Sequence, residues 1–166
     1  MTAANKMKLT AEPGKQVIVI EREFNAPREL VFEAFTDADL FVQWMGPSRL
    51  TMQLDIFDAR DGGAWRYVSK DPGSNEEYAF CGVFHEVTAP TRIVQTFEFL
   101  GLPERGHVTL ETAVFEELSV DRTKVVMESL FRSVADRDGM LESGMEGGMN
   151  ESFVRLEQVL GTLRAQ

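Results

Sequence analysis

One change of rhythm constrains this chain more than any other feature. Between residues 50 and 131, apolar and polar residues alternate in successive short runs. From residue 139 onward, apolar residues recur at intervals of three and four. LTMQLDIFDA (50–59) places Leu50, Met52, Leu54 and Ile56 on one face, and AWRYVSK (64–70) does the same with Trp65 and Tyr67. EYAFCGVFHEV (77–87), RIVQTFEFL (92–100), HVTLETAVFEEL (107–118) and TKVVMESLF (123–131) keep the same two-residue period. Such alternation marks half-buried strands. Asp61-Gly62-Gly63, Asp71-Pro72-Gly73-Ser74-Asn75, Pro90, Leu102-Pro103 and the stretch from Ser119 to Asp121 separate the runs. Turns this short imply antiparallel pairing.

The final segment follows a helical period. Leu141, Met145, Met149, Phe153, Leu156, Leu160 and Leu163 form one apolar stripe. Near the other end, VIVIEREF (17–24) reads as a strand bounded by Gly14 and by Asn25-Ala26-Pro27. Pro27 suits a first helical position, and Leu30, Val31, Ala34 and Phe35 continue at helical spacing. Thr36 or Asp37 recaps the chain for a second short helix carrying Leu40, Phe41 and Trp44, which Gly46-Pro47 ends. The order is therefore one strand, two short helices, six strands and one long helix. A seven-stranded antiparallel sheet must bury one face, and the last helix is the only element large enough to cover it. The fold class is α+β, with a flexible segment over 1–15 and a single domain over 16–166.

The front of that helix raises a question. GMLESGMEGGMNESFVRL (139–156) holds four glycines and three methionines, although each glycine costs about 1 kcal/mol relative to alanine in a helix. Gly148 and Ser152 fall inside the apolar stripe, Gly144 on its edge and Gly147 outside it. Two readings stand. Small residues leave a space between helix and sheet, which the methionines line softly, or the glycines permit close contact between helix and strand.

At this point the chain resembles the START-like superfamily, also called SRPBCC, the fold of the birch-pollen allergen. Within it the chain is similar to the group named for the activator of the heat-shock-protein-90 ATPase. The residues that carry the resemblance are VFEAFTDADLFVQWMGP (31–47), DARDGGAWRY (58–67), FCGVFHEVTAPTRIVQTFEF (80–99) and GMEGGMNESFVRLEQVL (144–160). They span nearly the whole chain. The resemblance implies a helix-grip fold, in which a curved sheet wraps a C-terminal helix around a hydrophobic pocket. It further implies binding of a lipid, aromatic or polyketide-like molecule, with some members acting as cyclases or in related steps. Eukaryotic co-chaperone members carry an added N-terminal domain for chaperone docking; this chain is expected to hold the START-like domain alone.

Composition narrows the partners. A net charge of -10 argues against nucleic acid and anionic membranes. No apolar run approaches the ~20 residues of a membrane span, and MTAANKMKLTAEPGKQ (1–16) lacks the apolar core of a signal peptide. These absences point to a cytoplasmic location. Cys81 is the one cysteine, so no disulfide framework or thiolate metal cluster is expected. His85 and His107 lack a second ligand at metal-binding spacing, and no cofactor motif appears. Cys81 has no basic neighbour in its strand and reads as an inert thiol. Asp55, Asp58, Arg60, Asp61 and Arg66 read as a solvated salt-bridge network around one hairpin.

The residues expected to line a pocket are Trp44, Trp65, Tyr67, Phe80, Phe84, Phe97, Met127, Met145 and Met149. If a reaction takes place there, the candidates for it are Glu128 and Tyr67. Glu128 faces inward only if Val126 and Leu130 do. The opposite face, with Val125, Met127, Ser129 and Phe131, is an equally good core set. The first functional reading is binding of a small hydrophobic molecule. Catalysis on such a molecule and a chaperone-linked interaction module are the alternatives. Self-association through a sheet edge or a Met-rich surface stays open.

Overall fold

A computed structural model describes residues 5–166. Eight strands form one antiparallel sheet: β1 (Lys8–Thr10), β2 (Val17–Phe24), β3 (Thr51–Phe57), β4 (Ala64–Lys70), β5 (Glu77–Thr88), β6 (Arg92–Phe99), β7 (Thr109–Ser119) and β8 (Arg122–Leu130). Their spatial order is β1-β2-β8-β7-β6-β5-β4-β3. The helices are α1 (Arg28–Thr36), α2 (Ala38–Trp44), α3 (Val134–Glu142) and α4 (Met145–Arg164). This is the anticipated α+β helix-grip arrangement, with one strand more than the seven expected. The extra strand is β1, which pairs Lys8 with Glu21 and Thr10 with Val19 inside the segment read as flexible. Residues 1–4 of that segment lie outside the described residues.

Alternation decides the sheet's two faces. Along β2 the buried residues are Ile18, Ile20, Arg22 and Phe24. Their register partners on β8 are Ser129, Met127, Val125 and Thr123, so the odd-numbered residues of β8 face the helices. Glu128 therefore points outward and is exposed. Two irregularities correct the simple pattern. A bulge between Leu54 and Ile56 puts Phe57 opposite Trp65 and leaves Ile56 exposed, although alternation had placed it with Leu54. A second bulge, between Phe84 and Glu86, brings Val87 rather than Glu86 back to the inner face, opposite Ile93. A bulge inserts one residue and so switches the face of the residues after it.

The chain leaves β2 near one edge of the sheet and re-enters as β3 at the other. Helices α1 and α2 make that crossing, α1 packing on β7 and β8 and α2 on β3 and α4. Asp37 accepts from the Leu40 amide at 3.1 Å and starts α2. The helix expected from residue 139 onward is two helices. Ser133 caps α3 by accepting from the Asp136 amide at 3.0 Å. Gly144 then adopts φ 85° and redirects the chain into α4, a left-handed conformation that glycine takes without a Cβ clash. Leu141 thus belongs to α3, not to the stripe of α4.

The sealed part of the core lies under the back of α4. Phe24 meets Phe153 edge-to-face at 5.5 Å, Phe153 stacks on Trp44 at 6.4 Å, and Phe35 and Phe115 continue the cluster. The Trp44 indole donates to the Ala34 carbonyl at 2.8 Å. Arg22, almost fully buried, crosses from β2 to α4 and meets Glu157 at 2.8 Å.

Candidate ligand site on the concave face

Strand register brings three polar side chains together on the face that the helices cover. Gln95 on β6 lies opposite Glu111 on β7, and Glu111 lies opposite Ser129 on β8. Gln95 donates its amide to Glu111 Oε1 at 3.4 Å, and Ser129 donates its hydroxyl to Oε2 at 3.3 Å. Both bonds are long and both donors are neutral. Loss of hydration raises the Glu111 pKa to about 7, against the smaller downward pull of Ser129 and Gln95. The side chain keeps some accessible surface, yet protein atoms crowd it closely enough for desolvation to dominate.

Beside this polar row the sheet is paved with aromatic rings. Trp65 and Tyr67 stack at 5.5 Å, Tyr67 meets Phe80 at 5.2 Å, Phe80 meets Phe97 at 5.5 Å, and Phe97 returns to Trp65 at 5.9 Å. The interplanar angles, between 22° and 37°, make the four rings a nearly continuous floor. Gly82 makes it possible. A Cβ there would stand 2.0 Å from the Thr96 carbonyl oxygen and 2.6 Å from Trp65 Nε1. The Trp65 indole N–H is buried and, among the described residues, has no hydrogen-bond partner. Burial, and then the charge of Glu111, push the Tyr67 phenol well above its ordinary range.

Met140 and Leu141 of α3 and Met145 and Met149 of α4 are each partly buried against the core. The glycines nearby are not points of close contact. A Cβ at Gly144 or Gly147 meets no atom within 4 Å, and one at Gly148 meets only Pro47 at 3.5 Å. Close helix–strand contact therefore does not explain them. Ser152 is different. It is buried, donates to the Gly148 carbonyl and accepts from the Gly46 amide, both at 2.9 Å, which fastens the end of α2 to α4.

The model of the activator of Hsp90 ATPase homolog 1-like protein family matches residues 25–161. The chain belongs to that family. Its fold is shared by a protein from Rhodobacter sphaeroides at 21% identity and a TM-score of 0.84, over 95% of this chain and 99% of that one. A protein from Staphylococcus epidermidis is similar at 28% identity and TM-score 0.79, over 92% and 94% of the two chains. One from Arthrobacter aurescens follows at 24% identity and TM-score 0.83, over 93% and 91%. No curated protein matches the sequence.

Within this member of the Hsp90-activator-like family, the candidate residues fall into distinct places. Trp65, Tyr67, Phe80 and Phe97 form the aromatic floor. Met127, on β8, shares the concave face with Glu111, and Met145 and Met149, on α4, are partly buried against the core. Trp44 and Phe84 sit in the core with almost no accessible surface, 0% and 2%. Glu128 is the clear correction: the inward carboxylate is Glu111, on the neighbouring strand. The signal for it lay in HVTLETAVFEEL, where Glu111 shares its alternation with Ala113 and Phe115.

The remaining chemistry-bearing groups point elsewhere. Cys81 is half-buried on the outer face opposite Arg66 and Glu98. His107 bridges Asp136 at 2.9 Å and Glu104 at 3.1 Å. Arg66 pairs with Asp55 and Arg60 with Asp58 in solvent. Among the described residues no group of three or more His, Cys, Asp or Glu is placed to hold a metal ion. No helix of the described residues is long and apolar enough to cross a membrane. A separate groove of about 410 Å³ opens on the outside between α2 and α4, lined by Leu40, Gln43, Val159 and Leu163 among others. Its one cation, Arg155, already donates to the Met45 carbonyl at 3.0 Å. The ionisable and aromatic groups described above lie inside the sheet, not in this groove.

Proposed function

We propose that the protein binds a small, predominantly apolar molecule between the concave face of the sheet and the front half of α4. One contrast carries the reading. Under the back of α4, Phe24, Phe115, Val125, Phe153, Leu156 and Leu160 are closed off, each at 1% exposure or less. Toward the front, Leu54, Phe80, Phe97, Met127, Met145 and Met149 pack against the same core yet keep accessible surface. Inward apolar side chains retain such surface where no protein atom stands in front of them. A concave site of this kind, mostly apolar with a few convergent polar groups, is what a small-molecule ligand requires. Glu111, Gln95 and Ser129 supply the polar groups, and the methionines supply an adaptable wall. Membership of a family built on the helix-grip fold supports the same conclusion.

Thermal-shift and fluorescence titrations with lipids, naphthyl compounds and polyketide-like aromatics test it. In a Trp44→Phe variant, emission reports Trp65 alone, which stands in the aromatic floor. A ligand at a hundredfold excess over its Kd stabilises the protein by about 2.7 kcal/mol. Binding inside the sheet changes Trp65 emission at the same concentrations that raise Tm. A panel that moves neither signal defeats the proposal.

A further inference from the structure

Among the described residues, three side chains on the concave face of the sheet can carry charge within the part covered by helices: Arg22, Tyr67 and Glu111. Arg22 already has its counter-ion in Glu157. Tyr67 is held neutral by burial. Glu111 alone lacks an opposite charge, since its two partners are an amide and a hydroxyl. A buried carboxylate in that position either stays protonated or acquires a cation.

The surroundings favour a particular cation. Phe97 lies one inward step along β6 from Gln95, the neighbour of Glu111, and it lies opposite Thr109, one inward step from Glu111 on β7. The aromatic floor thus begins diagonally beside the carboxyl group. Ring faces carry the negative side of the aromatic quadrupole and attract ammonium groups, most strongly where water is excluded. A carboxyl group with the Phe97 ring diagonally beside it, from which Trp65, Phe80 and Tyr67 continue, suits an organic ammonium joined to an apolar body. A fatty acid or other anion meets the Glu111 charge and, among the described residues, no free cation on this face.

Resting on the ligand-binding reading above, we propose that the preferred ligand is an apolar molecule bearing a basic amine, with Glu111 as its counter-charge and Trp65, Tyr67, Phe80 and Phe97 as the floor beneath it. Gln95 and Ser129 are positioning residues that hold the carboxyl group toward the interior. The recognition is a charge-assisted hydrogen bond from the ammonium to a Glu111 oxygen, and no covalent step is involved.

The test compares three probes of one shape: naphthylethylamine, naphthylethanol and naphthylacetate. Isothermal titration is run on the intact protein and on the Glu111→Gln variant, whose folding is checked by circular dichroism. The amine is expected to bind wild-type protein about tenfold or more tighter than the alcohol, with the acetate weakest. Glu111→Gln is expected to abolish the preference for amine over alcohol, read as the ratio of the two dissociation constants within the variant. Equal binding of amine and alcohol by the wild-type protein, or an unchanged preference in Glu111→Gln, overturns the inference and leaves the apolar site standing. Binding of none of the three by the wild-type protein removes the amine proposal and counts against the apolar site as well. Should Glu111→Gln fail to fold, Phe97→Leu serves in its place. It keeps the carboxyl group and removes one ring face, so it is expected to weaken the amine more than the alcohol. An equal loss for both rejects the aromatic contribution.

Discussion

The Tyr67 hydroxyl and the Glu111 carboxyl act on each other although β5 and β6 separate their strands: the charge on Glu111 adds to the rise that burial imposes on Tyr67. Such reach requires the sheet to curl, so that side chains from distant strands converge in a common interior. Twist gives an antiparallel sheet that curvature. Gly82 and the two bulges at Leu54/Ile56 and Phe84/Glu86 lie on the intervening or adjoining strands, where they accommodate bending.

Glu111 makes stability depend on pH with a sign opposite to that of most carboxylates. In the unfolded chain its pKa is near 4.5, and in the folded protein it is about 7. Between those values the folded state holds a proton that the unfolded chain has released. Its contribution is therefore full below the unfolded pKa and declines as pH rises through the folded one. The loss is on the order of 3 kcal/mol. Urea melts should show Glu111→Gln equal to wild type near pH 4 and more stable by up to about that amount near pH 8. Parallel stability curves for the two proteins would mean that the carboxyl group is well solvated.

The glycines at the α3–α4 junction should respond in opposite directions. Gly147 is exposed inside α4, and a Cβ there meets nothing within 4 Å. Gly147→Ala is expected to stabilise the protein by about 0.5–1 kcal/mol through helix propensity alone. Gly144 also has open space, but its φ of 85° disfavours any L side chain, so Gly144→Ala should destabilise by about 1 kcal/mol. Thermal melts of the two single variants decide the matter. Equal effects of the same sign would show that the chain does not turn at Gly144.

Gly82→Ala probes the aromatic floor directly. The new methyl group must displace both the Thr96 carbonyl and the Trp65 indole. The first is sheet backbone and yields little. Overpacking of this kind costs about 1–3 kcal/mol, and the displaced indole should alter near-UV circular dichroism and Trp65 emission. A variant with wild-type spectra and wild-type stability would show that Trp65 does not lie over β5.

The elements legible in the sequence were those with a long, uninterrupted period. Each of the six alternating runs became a strand, because a two-residue rhythm over seven or more positions has one solution when a single face is buried. What escaped detection was local or relational. Lys8–Thr10 is too short to show a period, and it is a strand only because β2 offers an edge. Gly144 could be read as a weak helical residue or as a turn, and its neighbours on both sides fit one stripe. The face of β8 was undecidable from β8 alone, since Val126 and Leu130 match Val125 and Met127 in apolarity. Register with Ile18 and Ile20 settled it, and the same register exposed Glu111 as the inward carboxyl group. Sequence alternation could nominate Glu111, but only the pairing of three strands shows that its neighbours there are Gln95 and Ser129.

The last prediction concerns the ion pair that fastens α4 to β2. The Arg22 side chain is 1% exposed, and its guanidinium meets Glu157 at 2.8 Å while lying 4.6 Å from the Phe24 ring centroid. Glu157 accepts in turn from the Asn5 side chain at 2.8 Å and the Asn25 amide at 3.1 Å. One guanidinium nitrogen, Nη2, is buried without a partner among the described residues, so within them the pair is imperfectly satisfied. Glu157→Gln keeps the shape but leaves the Arg22 charge without its counter-ion in the core. Breaking a buried pair on one side costs about 3–5 kcal/mol, whereas replacing both members can be nearly neutral. The double variant Arg22→Met with Glu157→Gln should therefore recover most of the loss caused by Glu157→Gln alone. A double-mutant cycle in urea measures the coupling. Additive losses would show that the two residues stabilise the fold independently, and that α4 is held by Phe153, Leu156 and Leu160 without help from the ion pair.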